Sequence, residues 1–270
     1  MQTAIPYLFM RGGSSRGPIF QLKDLPTDWD KISEVLIAAV GAGHPLNIDG
    51  IGGGNSVTTK VAIVSLSSDT WADIDYLFAQ VSVSDHLVDY KPTCGNMLTA
   101  VGPAAIEMGL VTATGTCTEI KIRAVNTDAN VVVRVKTDNG QVIYDGSSRI
   151  DGVPGTAAPV EMGFLNVAGS STGSFLPTGH LIDQIDGIEV TCMDVAMPMV
   201  IARAEDFGLS GHERIEELDT NLAFFERMEQ IRLKAAVKMG MGDCIKSVTP
   251  KFGLVAADER NNHMTVRYFM

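Results

Sequence analysis

The stretch CGNMLTAVGPAAIEMGLV, residues 94–111, constrains the fold more than any other part of the chain. Its spacing predicts a helix over 96–109 in which Asn96, Thr99 and Glu107 are the strongly polar side chains. A helix that is apolar on nearly every face has to be buried on every face. The segments around it read as strands, so the expected solution is a curved, mostly antiparallel sheet wrapped about a central helix. Pro103 interrupts this picture, because a proline inside a helix costs about 3 kcal/mol. It marks either a kink or the true start of the longer helical part.

The flanking sequence supplies such a sheet. AIPYLFM (4–10) and PIFQL (18–22) are short strand-like runs joined by RGGSSRG. PTDWDKISEVLIAAVGAG reads as an amphipathic helix, with Thr27 or Asp28 as N-cap. Trp29, Ile32, Leu36 and Ala39 form its apolar stripe, and Gly41 is its stop. KVAIVSL and DIDYLFAQVSV follow as strands. TEIKIRAV, NVVVRVKT and QVIYDG then form a meander that turns at Asp138-Asn139-Gly140. The Gly-, Ser-, Thr- and Pro-rich stretch from 151 to 180 reads as linker and loop.

Beyond it the order of elements recurs. IEVTCMDV and PMVIARA precede a long helix from about Asp219 to Met239, with Leu222, Phe225 and Ala235 on its apolar stripe. FGLVAA and MTVRYFM close the chain. The expected architecture is therefore α/β (α+β) with two similar halves. The first domain spans 1–152 and holds the Gly-rich loops and the central helix. The second spans 153–270, and no counterpart of the all-apolar helix follows its last strand. An unfilled curved sheet there would favour self-association into a homo-oligomer, since large apolar patches rarely stay bare.

Composition narrows the function classes. With 45% apolar and 20% charged residues the chain reads as globular, and no apolar run reaches the roughly 18 residues of a membrane span. The formal charge of −11 argues against nucleic acid or an anionic membrane surface as partner. A small anion remains compatible, because Arg11, Arg16, Lys60 and Lys91 all fall near Gly-rich segments. Cys94, Cys117, Cys192 and Cys244 show no CxxC spacing. That fits a reducing cytoplasm and offers neither a zinc cluster nor a disulfide framework. MQTAIPYLFMRGG lacks a basic region and a long apolar stretch, so no signal peptide is expected.

Three segments could carry chemistry. TCGN opens the apolar helix, where unpaired N–H groups attract an anion and lower the pKa of a thiol. Gly95 would let a ligand approach, and Asn96 could bond a carboxylate or enolate oxygen. The plainer reading makes Cys94 a small core residue. IDGIGGGNSVTTK (48–60) has the glycines to bring backbone N–H groups to an anion, with Gly53, Gly54 and Ser56 as candidates. It fits neither a P-loop nor GxGxxG, and the plainer reading is a flexible turn. RGGSSRG offers Arg11 to clamp a carboxylate, with Ser14 and Ser15 as donors; otherwise it is a surface hairpin. Lys60 closes the second segment, and a lysine partly desolvated near Arg11 could lose its proton near neutral pH. Otherwise it is solvated at a strand start. The remaining three cysteines read as structural, and the isolated histidines lack ligand spacing.

MRGGSSRG, IDGIGGGNSVTTKVAI, DYLFAQV, CGNMLTAVGPAAIEMGLV and IDGVPGTAAPV together resemble the 4-oxalomesaconate tautomerase family. That family is related to the 2-methylaconitate and methylitaconate isomerases within the diaminopimelate epimerase-like fold. The resemblance runs through PTG (177–179), DVAMPMVI and VRYFM. It implies two α/β halves, each a curved sheet around a central helix, with the site in the cleft between them. It also implies an isomerase without cofactor or metal, acting on a small polycarboxylate. Lys60 and Cys94 would be its acid–base residues; Arg11, Ser14, Ser15, Gly53, Gly54, Ser56, Gly95 and Asn96 would line the site. Asn55, Val57 and Thr93 depart from the usual family residues. Relatives continue past VRYFM into a second central helix, so the resemblance implies a shortened second half. Three other readings stay open. They are a two-cysteine epimerase, a non-catalytic polycarboxylate-binding or accessory protein, and an interaction fragment.

Overall fold

The computed structural model describes residues 3–245, 247–258 and 263–269. The chain divides into two units, residues 1–165 and 166–270. In the first, β1 (Tyr7–Gly12) and β2 (Ser15–Gln21) form a hairpin, and α1 (Trp29–Val40) crosses over to β3 (Lys60–Leu66). β4 (Ile74–Val81) and β5 (Val88–Asp89) precede α2 (Gly95–Glu107). The meander β6 (Cys117–Ala124), β7 (Ala129–Asp138) and β8 (Gln141–Val142) follows, then β9 (Val160–Phe164). The nine strands make one sheet in the order β1-β2-β3-β4-β6-β7-β8, with β5 on β4 and β9 on β7. The β2–β3 and β4–β6 pairs are parallel and the others antiparallel.

The sheet curls around α2, which touches β1, β2, β3, β4, β7, β8 and β9. Met97, Leu98, Ala100, Val101, Ala104 and Ala105 are all buried, as the apolar pattern requires. The close approach rests on Gly102: a Cβ there would lie 2.8 Å from Val133 Cγ1 and 2.9 Å from Val135 Cγ2. Pro103 sits inside a helix that already begins at Gly95, so it is not the helix start. The alternation of β3 assigns its faces. Ala62 and Val64 join the core around α2, whereas Val61 and Ile63 join the core under α1. Lys60 shares the parity of Ala62, which sends its side chain toward α2.

The second unit repeats the pairing logic. β10 (Asp183–Ile185), β11 (Ile188–Val195) and β12 (Met197–Arg203) are antiparallel neighbours. α3 (Ile215–Asp219) and α4 (Leu222–Lys238) lead to β13 (Lys251–Asp258), parallel to β12, and β14 (His263–Phe269) turns back on it. Hairpin, helical crossover to a parallel strand and second hairpin thus occur in both units. One face packs Val190, Cys192, Val200, Phe252 and Leu254 against Phe224, Met228 and Ile231 of α4. On β12 and β14, Met197, Met264, Val266 and Tyr268 are exposed.

Several details depart from the sequence reading. The expected long helix is broken near Thr220, and Asn221 caps α4 by accepting the Phe224 N–H at 3.1 Å. Phe224 is buried while Leu222, placed on the stripe by periodicity, is 71% exposed. Trp29 is likewise half exposed, its ring edge-on to Tyr90, and Val40 takes its place in the stripe. The segment expected to be linker from 151 holds β9, whose Val160 and Met162 pack on the α2 core; residues 153–165 accordingly belong to the first unit. Cys117 is exposed, not packed. Met270, the last residue of the expected closing strand, lies outside the described residues. Among the described residues no helix is long and apolar enough to cross a membrane.

Candidate active site

Cys94 is the N-cap of α2. Its backbone is extended (φ −140°, ψ 104°), and its Sγ accepts the Met97 N–H at 3.5 Å. Its carbonyl accepts the Leu98 N–H at 3.0 Å and the phenol of buried Tyr76 at 3.1 Å. Burial pushes the Tyr76 phenol well above its ordinary pKa, helped by nearby Cys94, so it remains a donor. The strand β3 delivers Lys60 to the same point: its Nζ donates to Cys94 Sγ at 3.4 Å. Cys94 is 8% exposed, so the contact is shielded from bulk water. Neither Gly95 nor Asn96 has an acceptor for its N–H among the described residues. These are two of the unpaired donors that every helix start carries, and a Cβ on Gly95 would touch nothing closer than Phe164 Cζ at 3.9 Å.

The β1–β2 hairpin docks on this helix start. Asn96 Nδ2 donates to Ser14 Oγ at 3.0 Å and to the buried Ser15 Oγ at 3.4 Å. Gly13 has φ +55°, and a Cβ on it would fall 2.3 Å from Asn96 Oδ1. Arg11 reaches around the tip to donate to Gly13 O at 2.6 Å. Arg11, Ser14 and Asn96 border a cavity of about 410 Å³ that runs along α2 past Thr99 toward Tyr144. Among the described residues Arg11 forms no ion pair, and neither does Lys60. A cation left without a carboxylate on so acidic a chain is available to an anionic ligand.

The second Gly-rich segment behaves differently from the anion cradle that its glycines suggest. Most of its amides already have protein acceptors. Gly50 donates to Asn47 O, Ile51 to Ala39 O, Gly52 to Val40 O and Gly54 to Asn47 Oδ1. Asn55 donates to Thr58 Oγ1 and Val57 to Asn55 Oδ1. Within residues 50–58, Gly53 and Ser56 keep N–H groups with no acceptor among the described residues. Gly53 lies against Arg16, where a Cβ would come within 2.6 Å of a guanidinium nitrogen. The loop is held by residues that sequence reasoning missed. Buried Asn47 donates to Gly41 O, His44 O and Val83 O, and Gln80 donates to Ser56 O at 3.2 Å. Gln80 also pairs directly with Lys60 across β3 and β4, so loop and lysine share one anchor.

Of the sequence candidates, then, Lys60, Cys94, Gly95, Asn96, Ser14, Ser15 and Arg11 gather at the start of α2. Gly53, Gly54 and Ser56 form the loop that leads into Lys60, and among the described residues no hydrogen bond ties them to the thiol. Cys192 and Cys244 are buried in the second unit. Burial, and then the charge of Asp183, push the Cys192 thiol up to about 11. That makes it a poor nucleophile or proton donor–acceptor near neutrality.

An amine and a thiol within hydrogen-bond reach, beside two free helix-start amides, are the equipment of an enzyme that moves protons. Comparison with known proteins narrows this class. The model of the family described as "PrpF protein" matches residues 2–268, and the chain belongs to that family. It is 51% identical over 266 residues to YbhH of Escherichia coli (strain K12), covering 98% of this chain and 76% of that one. It is 46% identical over 269 residues to the 4-oxalomesaconate tautomerase of Pseudomonas putida, covering 100% of this chain and 74% of that one. The crystal structure of a methylitaconate-delta-isomerase superposes with a TM-score of 0.86 at 35% identity. It covers 96% of this chain and 71% of that one. The resemblance drawn from the motifs is borne out, and the chain is an isomerase of the PrpF family.

Proposed function

We propose that this isomerase shifts a double bond in an unsaturated di- or tricarboxylic acid of the 4-oxalomesaconate kind, by allylic proton transfer. The observation that carries the reading is the 3.4 Å contact between Lys60 Nζ and Cys94 Sγ at the N-terminus of α2. Names of relatives support the substrate class: a 4-oxalomesaconate tautomerase and a 3-methylitaconate isomerase are among them.

The chemistry asked of the site is modest in atoms and demanding in energy. A base removes a proton from the carbon next to the double bond. The electron pair delocalises onto a carboxylate or keto oxygen as a dienolate, and a proton returns to a different carbon. No electrons leave the substrate. Lys60 is the principal base, and Cys94 relays or returns the proton. The N–H groups of Gly95 and Asn96 are the donors for the developing enolate oxygen, where one such donor is typically worth about 3–4 kcal/mol. A positioned base contributes a further ~10²–10⁴ in rate. Arg11, with Ser14 and Ser15, takes a substrate carboxylate; Gly53, Gly54 and Ser56 set the approach of Lys60.

The test is to follow, by NMR, double-bond migration in a panel of 4-oxalomesaconate, methylitaconate and 2-methylaconitate incubated with the full chain. Turnover of at least one acid, abolished by Lys60→Met, is the expected result. Binding of an acid with no migration of its double bond would instead make the chain a polycarboxylate-binding protein.

A further inference from the structure

We propose that the cavity along α2 is a pocket for a hydrocarbon arm of the substrate, so that an unsaturated dicarboxylate carrying an alkyl substituent is favoured over one carrying a third carboxylate. The inference rests on the reading of the helix start as a carboxylate site and narrows the substrate class within it. The polarity of the cavity changes along its length. At the helix start its border is polar, made by Arg11, Ser14 and Asn96. Arg11 donates to Gly13 O and pairs with no carboxylate among the described residues. From Asn96 to Pro103 the cavity follows α2, a length of roughly 10 Å at the helical rise of about 1.5 Å per residue.

Over that length the walls are apolar. Met10, Ala100, Pro103, Val135, Val142 and Val160 all border it. The hydroxyl of Thr99 is turned back on its own helix, where it donates to Gly95 O at 3.1 Å. Lys136 borders the cavity on β7, between the buried Val135 and Thr137, so strand alternation directs its side chain away from α2. The far end carries the opposite charge from the near one. Tyr144 donates to Glu107 Oε1 at 3.2 Å, which brings that carboxylate to the end of the cavity. Asp151 borders it as well, whereas Arg149, two residues before it, does not.

The occupant follows from this gradient. One carboxylate is attracted to Arg11. A further carboxylate carried along the cavity would lose water to apolar walls and face Glu107 and Asp151. A hydrocarbon arm meets neither cost and gains from burial. The outer wall is fixed in advance. Ser148 and Ala157 exchange backbone hydrogen bonds at 3.0 and 3.1 Å, Ala158 N–H donates to Tyr144 O at 2.7 Å, and Ile143 N–H donates to Lys136 O at 2.9 Å. Gly146 packs so closely on this wall that a Cβ there would fall 2.5 Å from Ala158 Cα. The cavity volume of about 410 Å³ lies within the ~300–1,000 Å³ usual for small-molecule sites.

The experiment measures binding of methyl-, butyl- and hexylsuccinate to the full chain by titration calorimetry. These acids carry two carboxylates and the arm but no double bond, so binding is read without turnover. Affinity should rise about 2–4-fold for each added methylene. The rise should flatten in Thr99→Phe and in Ala158→Phe, which fill the cavity from α2 and from the outer wall; each is checked by thermal melting, and either one that folds decides the point. Arg11→Gln should weaken all three acids by a similar factor and leave the rise in place. Among 3-alkylitaconates, kcat/KM should follow the same order. Equal affinities of the three succinates for the unaltered chain, no measurable binding of hexylsuccinate, or an undiminished rise in a folded, filled variant would overturn the proposal. Failure to turn over any unsaturated acid, with the rise in succinate affinity present, would strike the isomerisation chemistry and leave the pocket standing.

Discussion

At the scale of single residues, the site depends on a few atoms held by groups far away in sequence. Lys60 and Cys94 were legible because of their residue types: a lysine at the end of a glycine run and a cysteine at the mouth of an apolar helix. Their supports were not. Asn47, Tyr76 and Gln80 act through contacts to loops and strands whose positions only the fold decides, and nothing local in the sequence marks them. The glycines misled in one respect, since most amides of the 50–56 loop bond to residues flanking it, at the end of α1, at Asn47 and at Thr58, and so are not offered to a ligand. Gly13 is where backbone geometry and site meet. Gly13→Ala places a Cβ at φ +55° and against Asn96 Oδ1. It should cost about 1–2 kcal/mol in stability and raise KM by breaking the Asn96–Ser14 bond, measured by melting and by steady-state kinetics. The thiols make a second test. With Cys192 pushed up to about 11 and buried, a small alkylating reagent at pH 8 should label Cys117 and leave Cys192 intact in the native chain. Rapid native-state labelling of Cys192 would contradict its packing.

At the scale of elements, α2 was the most legible feature and also the organiser of the first unit. Its apolar faces demanded a surrounding sheet, and seven strands touch it. The Asn139–Gly140 turn was equally readable, and both residues have positive φ (48° and 79°). β9 was not read, although Val160, Met162 and Phe164 alternate, because Pro159 and the Gly-rich flank signal loop. Its stability comes from pairing with β7, a partner distant in sequence. The closeness of α2 to β7 gives a sharp expectation. Gly102→Val forces methyl groups into the space already filled by Val133 and Val135. Overpacking of this kind costs about 1–3 kcal/mol. The melting temperature should drop, and kcat should fall as the helix start shifts away from Lys60. A variant with unaltered melting would mean that the helix is not seated as described.

At the scale of the whole molecule, the two units share a pairing pattern that the order of elements had suggested, while their sequences are too far apart to reveal it by repeat. The chain's acidity also acts at this scale. Burial raises the carboxyl of Asp75, but bonds from Arg123 and Ser67 outweigh it and hold the group below its ordinary range. A carboxyl whose folded pKa lies below its unfolded value near about 3.9 contributes stability above that value. The contribution disappears as pH falls through the folded pKa. Asp75→Asn should therefore be less stable than the unaltered chain at pH 6, and the gap should narrow as pH is lowered past 4, read by denaturant titration. A gap that widened toward acid would reverse the sign of this argument.

The central claim, that Lys60 and Cys94 pass a substrate hydrogen between them at the start of α2, is tested most directly by deuterium wash-in. An unsaturated tricarboxylate such as 4-oxalomesaconate is incubated with the chain in D₂O and followed by proton NMR. The account predicts loss of the allylic proton signal at the rate of isomerisation, and slowing by at least about 10²-fold with Lys60→Met of unchanged melting temperature. Isomerisation that leaves the allylic protons unexchanged in every acid tried, or wash-in that persists undiminished in the Lys60→Met variant, would contradict it.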